Sequence, residues 1–151
     1  MMEVEFYDSI EDELIEFAVI ITKSNGKWVF CKHRERDTYE VPGGHREKNE
    51  EIDDTARREL YEETGAVEYT IKPVCIYNVI KDSSKVKSSA AANTVKTGSY
   101  GKLYYAEVTR FEEELHSEIE YIIFSNELVD NWTYPLIQPK LLEEAGRRGF
   151  V

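Results

Sequence analysis

Residues 44–66 read GHREKNEEIDDTARRELYEETGA and carry the clearest pattern in the chain. Between Glu50 and Thr64 no proline or glycine interrupts the chain. Asn49 is a suitable N-cap, and Gly65 suits the position that follows the last turn of a helix. The stretch therefore predicts an α-helix of about four turns.

Three glutamates crowd one face of this predicted helix. Residues three and four positions apart share a helix face, so Glu59, Glu62 and Glu63 point the same way. Two like charges about 5 Å apart repel by roughly 3 kcal/mol at an effective dielectric constant near 20. Arg58 has helical spacing to Glu62, whereas the other two glutamates have no basic residue at that spacing. A divalent cation would relieve the repulsion; a solvated acidic helix face is the alternative.

The full spacing of residues 44–66 resembles the signature of the Nudix hydrolases. That signature is Gly, five residues, Glu, seven residues, Arg-Glu, an aliphatic residue, any residue, Glu-Glu, any residue, Gly and an aliphatic residue. Its seven invariant letters would occur by chance on the order of once in 10⁵ such sequences. The preceding residues 39–43, YEVPG, also look like the family's approach to this box. The matching positions are Gly44, Glu50, Arg58, Glu59, Leu60, Glu62, Glu63, Gly65 and Ala66.

Outside this Nudix box, the chain predicts strands and one more helix. Apolar residues 17–22 and 28–31 flank Asn25-Gly26, a dipeptide typical of a tight hairpin turn. A second helix is predicted over 139–148, with Leu141, Leu142 and Ala145 on its apolar face. The resemblance implies an α/β fold, a mixed β-sheet in an α/β/α sandwich, as a single domain over 1–151. Further strands are predicted at 39–41, 69–80, 100–108 and 121–124.

Composition narrows the class of protein. The chain has 151 residues, of which 41% are hydrophobic, and this is enough for one core. A net charge of −11 argues against passive binding to nucleic acid or to an anionic membrane. Cys31 and Cys75 form no Cys-x-x-Cys pair, and reduced, buried thiols are expected. Without a leader pattern or an apolar run of membrane-spanning length, a cytoplasmic protein is expected. Many family members are dimers, so a homodimer is one possibility.

The resemblance implies roles for individual residues of the box. Mg²⁺ or Mn²⁺ would bind to Gly43, through its backbone carbonyl, and to Glu59, Glu62 and Glu63. Arg58 would orient Glu59, and Glu50 would make a structural ion pair. Whether Glu62 or Glu63 also takes the proton from water does not follow from their spacing, because members of the family place the base differently.

Residues outside the box complete the implied site. The family often recruits a further carboxylate as a base or metal ligand, and we favour Glu118 over Glu120 for that role. One of Lys32, His33 and Arg34 is expected to meet a phosphate at a strand end. Residues 81–98 contain four lysines and predict a surface loop, either a linker or a segment that folds over a triphosphate.

The resemblance implies a substrate pocket built from two separate parts of the sequence. Val41 and Gly44 are expected to contact the substrate. Residues 132–138, WTYPLIQ, lie where relatives build part of the base pocket. There Tyr134 would stack on a purine and Gln138 would bond its edge; equally, Trp132 and Tyr134 would simply cap the core.

The substrate implied by the resemblance is a nucleotide. The chain resembles the small mutator-T-type hydrolases, which convert nucleoside triphosphates, in some cases 8-oxo-purine nucleotides such as 8-oxo-dGTP, into a nucleoside monophosphate and pyrophosphate. ADP-ribose, a dinucleoside polyphosphate and an RNA 5′-triphosphate end are the alternative substrates. No nucleic acid other than this RNA end is expected as a partner. A regulatory Nudix domain that binds a nucleotide without turnover is the alternative of another class. Three mutually repelling glutamates argue against that last reading, because a pure binder has little use for them.

Overall fold

The structure, a computed structural model, describes residues 2–81, 99–113 and 118–151, without the side chains of Met2 and Lys81. The predicted loop over 81–98 therefore lies outside the described residues, apart from the backbone of Lys81, which ends a strand. In the described part of the chain, no helix is long and apolar enough to cross a membrane.

One mixed sheet forms the centre of the fold. Its strands are β1 (Met2–Tyr7), β2 (Ile15–Ser24), β3 (Lys27–His33), β4 (Gly43–His45), β5 (Ala66–Lys81), β6 (Ser99–Phe111) and β7 (Ile119–Ser125). The strand order is β1-β5-β6-β2-β3-β7, and β4 pairs with β2. Strands β2 and β6 run parallel, while the other pairs are antiparallel. The helices are α1 (Ile52–Thr64) and α2 (Gln138–Arg147), and a short 3₁₀ helix spans Asp12–Leu14.

The predicted hairpin joins β2 to β3. Asn25 and Gly26 have φ angles of 56° and 78°, which a tight turn between twisted strands requires. Lys23 faces Trp28 across the turn. The hairpin prediction is confirmed, and the two strands extend beyond the predicted apolar runs.

Helix α1 begins later than the sequence predicted. Asn49 has a left-handed φ of 65°, and Glu51 occupies the N-cap position. Residues 47–50 form a turn instead, in which the Glu50 backbone N–H donates to the Glu47 carbonyl at 3.1 Å. The prediction of Asn49 as N-cap is therefore wrong. The end of the helix is as predicted, because Gly65 has φ 80° and its N–H donates to the Tyr61 carbonyl at 2.8 Å.

Two strand predictions need correction. Strand β1 was not predicted, although Met2, Val4 and Phe6 alternate with acidic residues as strand residues do. Conversely, 39–41 forms two isolated bridges rather than a strand, one from Glu40 to Cys31 and one from Tyr39 to Trp132. Neighbouring residues of the segment pair with different partners, so the segment does not form one regular ladder.

Each face of the sheet carries a hydrophobic core. Neighbouring residues of a strand point to opposite faces, so Ile20 and Ile21 of β2 belong to different cores. Ile20 packs with Leu60 of α1, and Ile21 packs with Leu141 of α2. This arrangement confirms the α/β/α sandwich. The predicted apolar face of α2 is also buried: Leu141, Leu142 and Ala145.

Candidate active site

Helix α1 presents its acidic side to β4. Ala56 and Leu60 are fully buried against the sheet, which sets the rotation of the helix. The Glu63 carboxylate consequently accepts a hydrogen bond from the Gly43 backbone N–H at 3.1 Å. A Cβ atom at Gly44 would lie 2.2 Å from Oε2 of Glu59. The side-chain-free Gly44 thus allows a helix carboxylate to reach the strand backbone.

Arg58 holds several carboxylates in place. Its Nε and Nη2 donate to the two carboxylate oxygens of Glu50 at 2.8 and 3.0 Å. Its Nη1 donates to Glu59 at 3.1 Å and to Glu62 at 3.3 Å. The implied ion pair of Glu50 is therefore present. Helical spacing did not predict the contact with Glu59, because it joins adjacent residues through the long arginine side chain.

The carboxylates of α1 are not all compensated by this arginine. Burial raises the pKa of Glu63 to about 8, and the charges of Glu59, Glu40 and Glu62 act in the same direction. The Gly43 N–H opposes that rise. Burial also raises the pKa of Glu59 to about 6, against the lowering effect of Arg58. The site therefore disfavours the ionised carboxylates in the absence of a further positive charge.

An open cavity of about 760 Å³ lies over these groups. Helix α1 contributes Arg58, Glu59, Tyr61, Glu62 and Glu63 to its wall. Strand β4 and the turn after it contribute Gly43, Gly44, His45 and Glu47. His33 and Glu118 complete the lining. The structure thus gathers Glu59, Glu62 and Glu63 of the box, two glycines and two residues from outside the box around one space.

Glu118 lies in this cavity and Glu120 is held by another group. The Glu118 carboxylate is 3.6 Å from Nδ1 of His33, and its backbone carbonyl accepts a hydrogen bond from the Arg34 N–H at 3.0 Å. Glu120 instead accepts a hydrogen bond from Nζ of Lys32 at 2.5 Å. One of Lys32, His33 and Arg34 was predicted to meet a phosphate; of these three residues, His33 lines the cavity, whereas Lys32 and Arg34 do not.

The predicted base-pocket residues lie elsewhere. Gln138 is buried, and its Oε1 accepts a hydrogen bond from the Val41 N–H at 2.9 Å. That bond ties the start of α2 to the segment before the box. Tyr134 is 40% exposed, but like Gln138 and Val41 it does not line the cavity described above. Trp132 packs edge-to-face on Phe30, so it caps the core as in the alternative prediction.

The cavity suits an open metal site and not a closed cage. Within the described residues, no three Asp, Glu, His or Cys side chains already surround a point where an ion could sit. Mg²⁺ usually takes one or two protein carboxylates and completes its shell with waters and substrate phosphates. Glu59 and Glu63 supply such carboxylates, and the glycine at position 44 puts no side chain in the place of the Glu59 carboxylate. The donor set therefore fits a hard divalent cation.

Some cavity residues had no signal in the sequence. Tyr61 occupies the position of the signature that any residue can fill, and its hydroxyl donates to Glu112 at 2.7 Å. Glu47 and His45 belong to the unspecified part of the box, between Gly44 and the helix. A pattern that leaves these positions open cannot predict what stands there.

Glu50→Gln is expected to lower the free energy of unfolding by about 1.5–3 kcal/mol near neutral pH, the range for hydrogen bonds to charged groups. Hydrogen bonding to Arg58 lowers the pKa of Glu50 to about 2. A lowered pKa contributes stability above the unfolded-state value of about 4.3, and that contribution is lost as the pH falls toward the folded-state value. Urea unfolding between about pH 7 and pH 2.5 should therefore show the two proteins converging as the solution is acidified.

Glu51→Gln is the matched control for this measurement. It removes the same charge from the neighbouring residue, whose side chain does not cap the helix. This variant should stay close to the wild type throughout. A Glu50→Gln deficit that is independent of pH would show that the stability of the turn does not come from the ion pair with Arg58.

Comparison with known proteins places the chain in a family. The model of the NUDIX domain matches residues 13–145. Over 114 residues the chain is 30% identical to YtkD of Bacillus subtilis (strain 168), whose name gives 8-oxo-dGTP diphosphatase as a proposed activity. That match covers 74% of this chain and 63% of the relative, so the chain spans less than two thirds of that relative's length.

Solved structures share the fold. The Bacillus subtilis pyrophosphohydrolase BsRppH superposes with a TM-score of 0.75 at 22% identity, over 99% of this chain and 92% of that one. The NUDIX domain of Shewanella oneidensis NrtR, solved with ADP ribose, has a TM-score of 0.60 at 14% identity, over 87% and 86% of the two chains. With the family model covering most of its length and three of the four signature glutamates gathered in one cavity, the chain belongs to the Nudix family.

Proposed function

We propose that this protein is a divalent-metal-dependent hydrolase that cleaves a phosphoanhydride bond in a nucleoside diphosphate-linked compound. The observation that carries this proposal is the pair of carboxylates of Glu59 and Glu63, desolvated by burial yet placed at the wall of an open cavity. Nudix hydrolases generally need divalent metal ions. For this chain the proposed ion is Mg²⁺ or Mn²⁺, because its donors are hard oxygen ligands.

Separate residues would bind the metal ion and position its ligands. Glu59, Glu62 and Glu63 would hold the ion, with the backbone carbonyl of Gly43 as a further donor. A bound divalent cation would neutralise phosphate charge and make water more acidic. Arg58 keeps Glu59 in place, and the Gly43 N–H does the same for Glu63.

A base must also take the proton from the attacking water. Glu118 lies at the wall of the cavity with its side chain 87% exposed, so its carboxylate can reach a water there. His33 faces this carboxylate at 3.6 Å. We assign the base to Glu118; Glu62 and Glu63 are the alternatives within the box.

The proposed substrate is a nucleoside triphosphate, including one with an oxidised purine base, which yields a nucleoside monophosphate and pyrophosphate. The name of the Bacillus subtilis relative favours an oxidised purine. The acidic chain needs the cation to receive a polyphosphate, since its net charge of −11 repels free phosphate groups.

A substrate panel with Mg²⁺ tests this proposal. It contains the four nucleoside triphosphates, 8-oxo-dGTP, ADP-ribose, a dinucleoside polyphosphate and a 5′-triphosphate RNA, and it scores pyrophosphate against phosphate release. Fastest turnover of 8-oxo-dGTP or another triphosphate, with pyrophosphate released, is expected. Faster turnover of ADP-ribose, the dinucleoside polyphosphate or the RNA end would replace the proposed substrate, and binding without any turnover would replace the proposed activity.

Millimolar Mg²⁺ is expected to raise the melting temperature of the protein. A ligand that binds only the folded state stabilises it by about 2.7 kcal/mol at one hundred times its Kd. The cation also relieves the repulsion between Glu59, Glu62 and Glu63. Differential scanning fluorimetry with and without Mg²⁺ measures the shift.

Two controls make the melting experiment specific. NaCl at matched ionic strength should give a smaller shift, because screening alone does not bridge carboxylates. Glu63→Gln should lose most of the Mg²⁺-dependent shift. An unchanged melting temperature in the wild type would count against a metal site in this cavity.

A further inference from the structure

We propose that Arg36 is a specificity-determining residue that offers the flat face of its guanidinium group to the nucleobase of the substrate. This inference rests on the proposed nucleotide hydrolase function and adds a base-binding group to it. Arg36 lies outside the Nudix box, in the turn after β3, and no sequence pattern singles it out.

Arg36 is oriented by a buried carboxylate. Its Nη1 donates to Oε2 of Glu40 at 3.0 Å. The Glu40 side chain is 8% exposed, whereas that of Arg36 is 42% exposed. An ion pair with one buried and one exposed partner fixes the direction of the exposed group, because the buried carboxylate has little freedom to move.

An aromatic ring also lies next to this guanidinium. The Arg36 Cζ atom lies 6.0 Å from the centre of the Tyr134 ring. Guanidinium groups stack on aromatic rings and also on nucleobases, in both cases through their planar faces. Tyr134 thus already has the Arg36 guanidinium as a neighbour over its ring, and the 42% exposed Arg36 side chain still has surface open to solvent.

Arg36 is also close to the cavity that holds the metal-binding glutamates. Its backbone N–H donates to the carbonyl of His33, a cavity residue, at 3.3 Å. Glu40 pairs with Cys31 across the sheet, and the Cys31 thiol donates to the Glu63 backbone carbonyl at 3.6 Å. The Arg36–Glu40 pair therefore lies beside the end of α1 that carries Glu63. A nucleotide whose phosphates occupy the cavity can extend its base toward this turn.

The pairing with Glu40 favours a base over a phosphate as the partner of Arg36. The carboxylate offsets the guanidinium charge, which weakens its attraction for a phosphate group. Stacking on a neutral base uses the planar face and leaves the edge bound to Glu40. Lys32, the nearby alternative cation, is held by Glu120 on the neighbouring strand.

Arg36→Lys is the decisive substitution, because lysine retains the positive charge but lacks the planar guanidinium group. Base stacking contributes about 1–3 kcal/mol in proteins that bind single strands, so the Kd and KM for nucleoside triphosphates should rise roughly 5-fold or more. The kcat should change little, as expected when binding common to ground and transition states is lost. Inorganic triphosphate, which lacks a base, should bind both proteins equally. Calorimetric titration with Mg²⁺, using inorganic triphosphate and nucleoside triphosphate analogues with a non-hydrolysable α,β-bridge, measures both affinities.

Matched variants distinguish base stacking from a phosphate contact. Arg110→Gln removes an exposed arginine that is paired with Glu68 on β5, and it should leave both affinities unchanged. Tyr134→Leu should reduce the affinity for nucleotides less than Arg36→Ala does, because the guanidinium group of Arg36 remains. If Arg36→Ala weakened the binding of inorganic triphosphate and Arg36→Lys did not, Arg36 would contact a phosphate and the stacking proposal would be overturned. Nucleotide affinities that no Arg36 variant changes would also overturn it.

The titration needs no turnover, so the two proposals can fail separately. A wild type that binds nucleotides through Arg36 without hydrolysing them would retain the stacking inference and refute the hydrolase. Hydrolysis of nucleotides that is unaffected by every Arg36 variant would retain the hydrolase and refute the stacking inference. A wild type that binds no nucleotide at all would overturn both.

Discussion

Replacing Glu63 with glutamine should lower kcat about 100-fold or more, the scale for the loss of one electrostatic element of a catalytic site. Glutamine keeps the size of the side chain and an oxygen for the Gly43 N–H, which donates to Glu63 at 3.1 Å. It removes the charge that the cation would bind. Kinetics under saturating substrate, with Mg²⁺ titrated, would show the loss as a lower kcat and a weaker Mg²⁺ dependence.

Stability should move in the opposite direction in this variant. Burial raises the pKa of Glu63 to about 8, so without metal the folded protein must either ionise this buried carboxyl group at a cost or take up a proton to neutralise it. A neutral glutamine avoids that cost, and the melting temperature without metal should be unchanged or higher. Loss of activity therefore cannot be attributed to unfolding.

Glu50→Gln provides the opposite profile and a stringent comparison. Its side chain is engaged by Arg58 and Thr55, so it should lose stability and retain more activity than the Glu63 variant. If folded Glu50→Gln lost more activity than Glu63→Gln, the division of the box into metal ligands and scaffold would be wrong.

Gly44→Ala is expected to reduce kcat about 100-fold with little change in melting temperature. The added Cβ would lie 2.2 Å from Oε2 of Glu59, the end of a flexible side chain, which can move aside. The fold therefore survives, but the carboxylate leaves the position that Arg58 and the strand define. A displacement of about 1 Å in a catalytic arrangement can cost a factor of about 10² in rate.

Gly43→Ala is the contrasting substitution one residue away. There the Cβ would lie 2.6 Å from the backbone carbonyl oxygen of Ala18 in β2, an atom that cannot move without disturbing the sheet. This variant should lose several degrees of thermal stability, since about 1 kcal/mol shifts the melting temperature of a domain of this size by a few degrees. Equal stability losses in both glycine variants, or full Mg²⁺-dependent turnover in Gly44→Ala, would contradict the proposed packing.

Local sequence predicted the elements whose causes are local. The hairpin at Asn25-Gly26 followed from the φ angles that this dipeptide tolerates, and the end of α1 followed from Gly65. The start of α1 was less predictable, because Glu50 is used by Arg58 and Thr55 instead of entering the helix. That choice depends on contacts which spacing alone does not rank.

Contacts between distant segments were the least predictable part of the site. The pairing of β3 with β7 shifts register between Lys32 and His33. In this arrangement Glu118 lies beside His33 in the cavity, and Glu120 is bonded to Lys32. The preference for Glu118 came from family resemblance, and no rule of sequence spacing could have derived the shift.

Short stretches of sequence were enough to predict the helix with its row of glutamates, the hairpin before it and the apolar face of α2, because side-chain periodicity is set by backbone geometry over a few residues. The remaining features of the site depend on tertiary contacts. It set Gly44 against Glu59 and buried Gln138 against Val41. It also joined Arg36 to both Glu40 and Tyr134, the latter from a distant segment of the chain. These contacts depend on strand register and on packing across the sheet, which no short stretch of chain encodes.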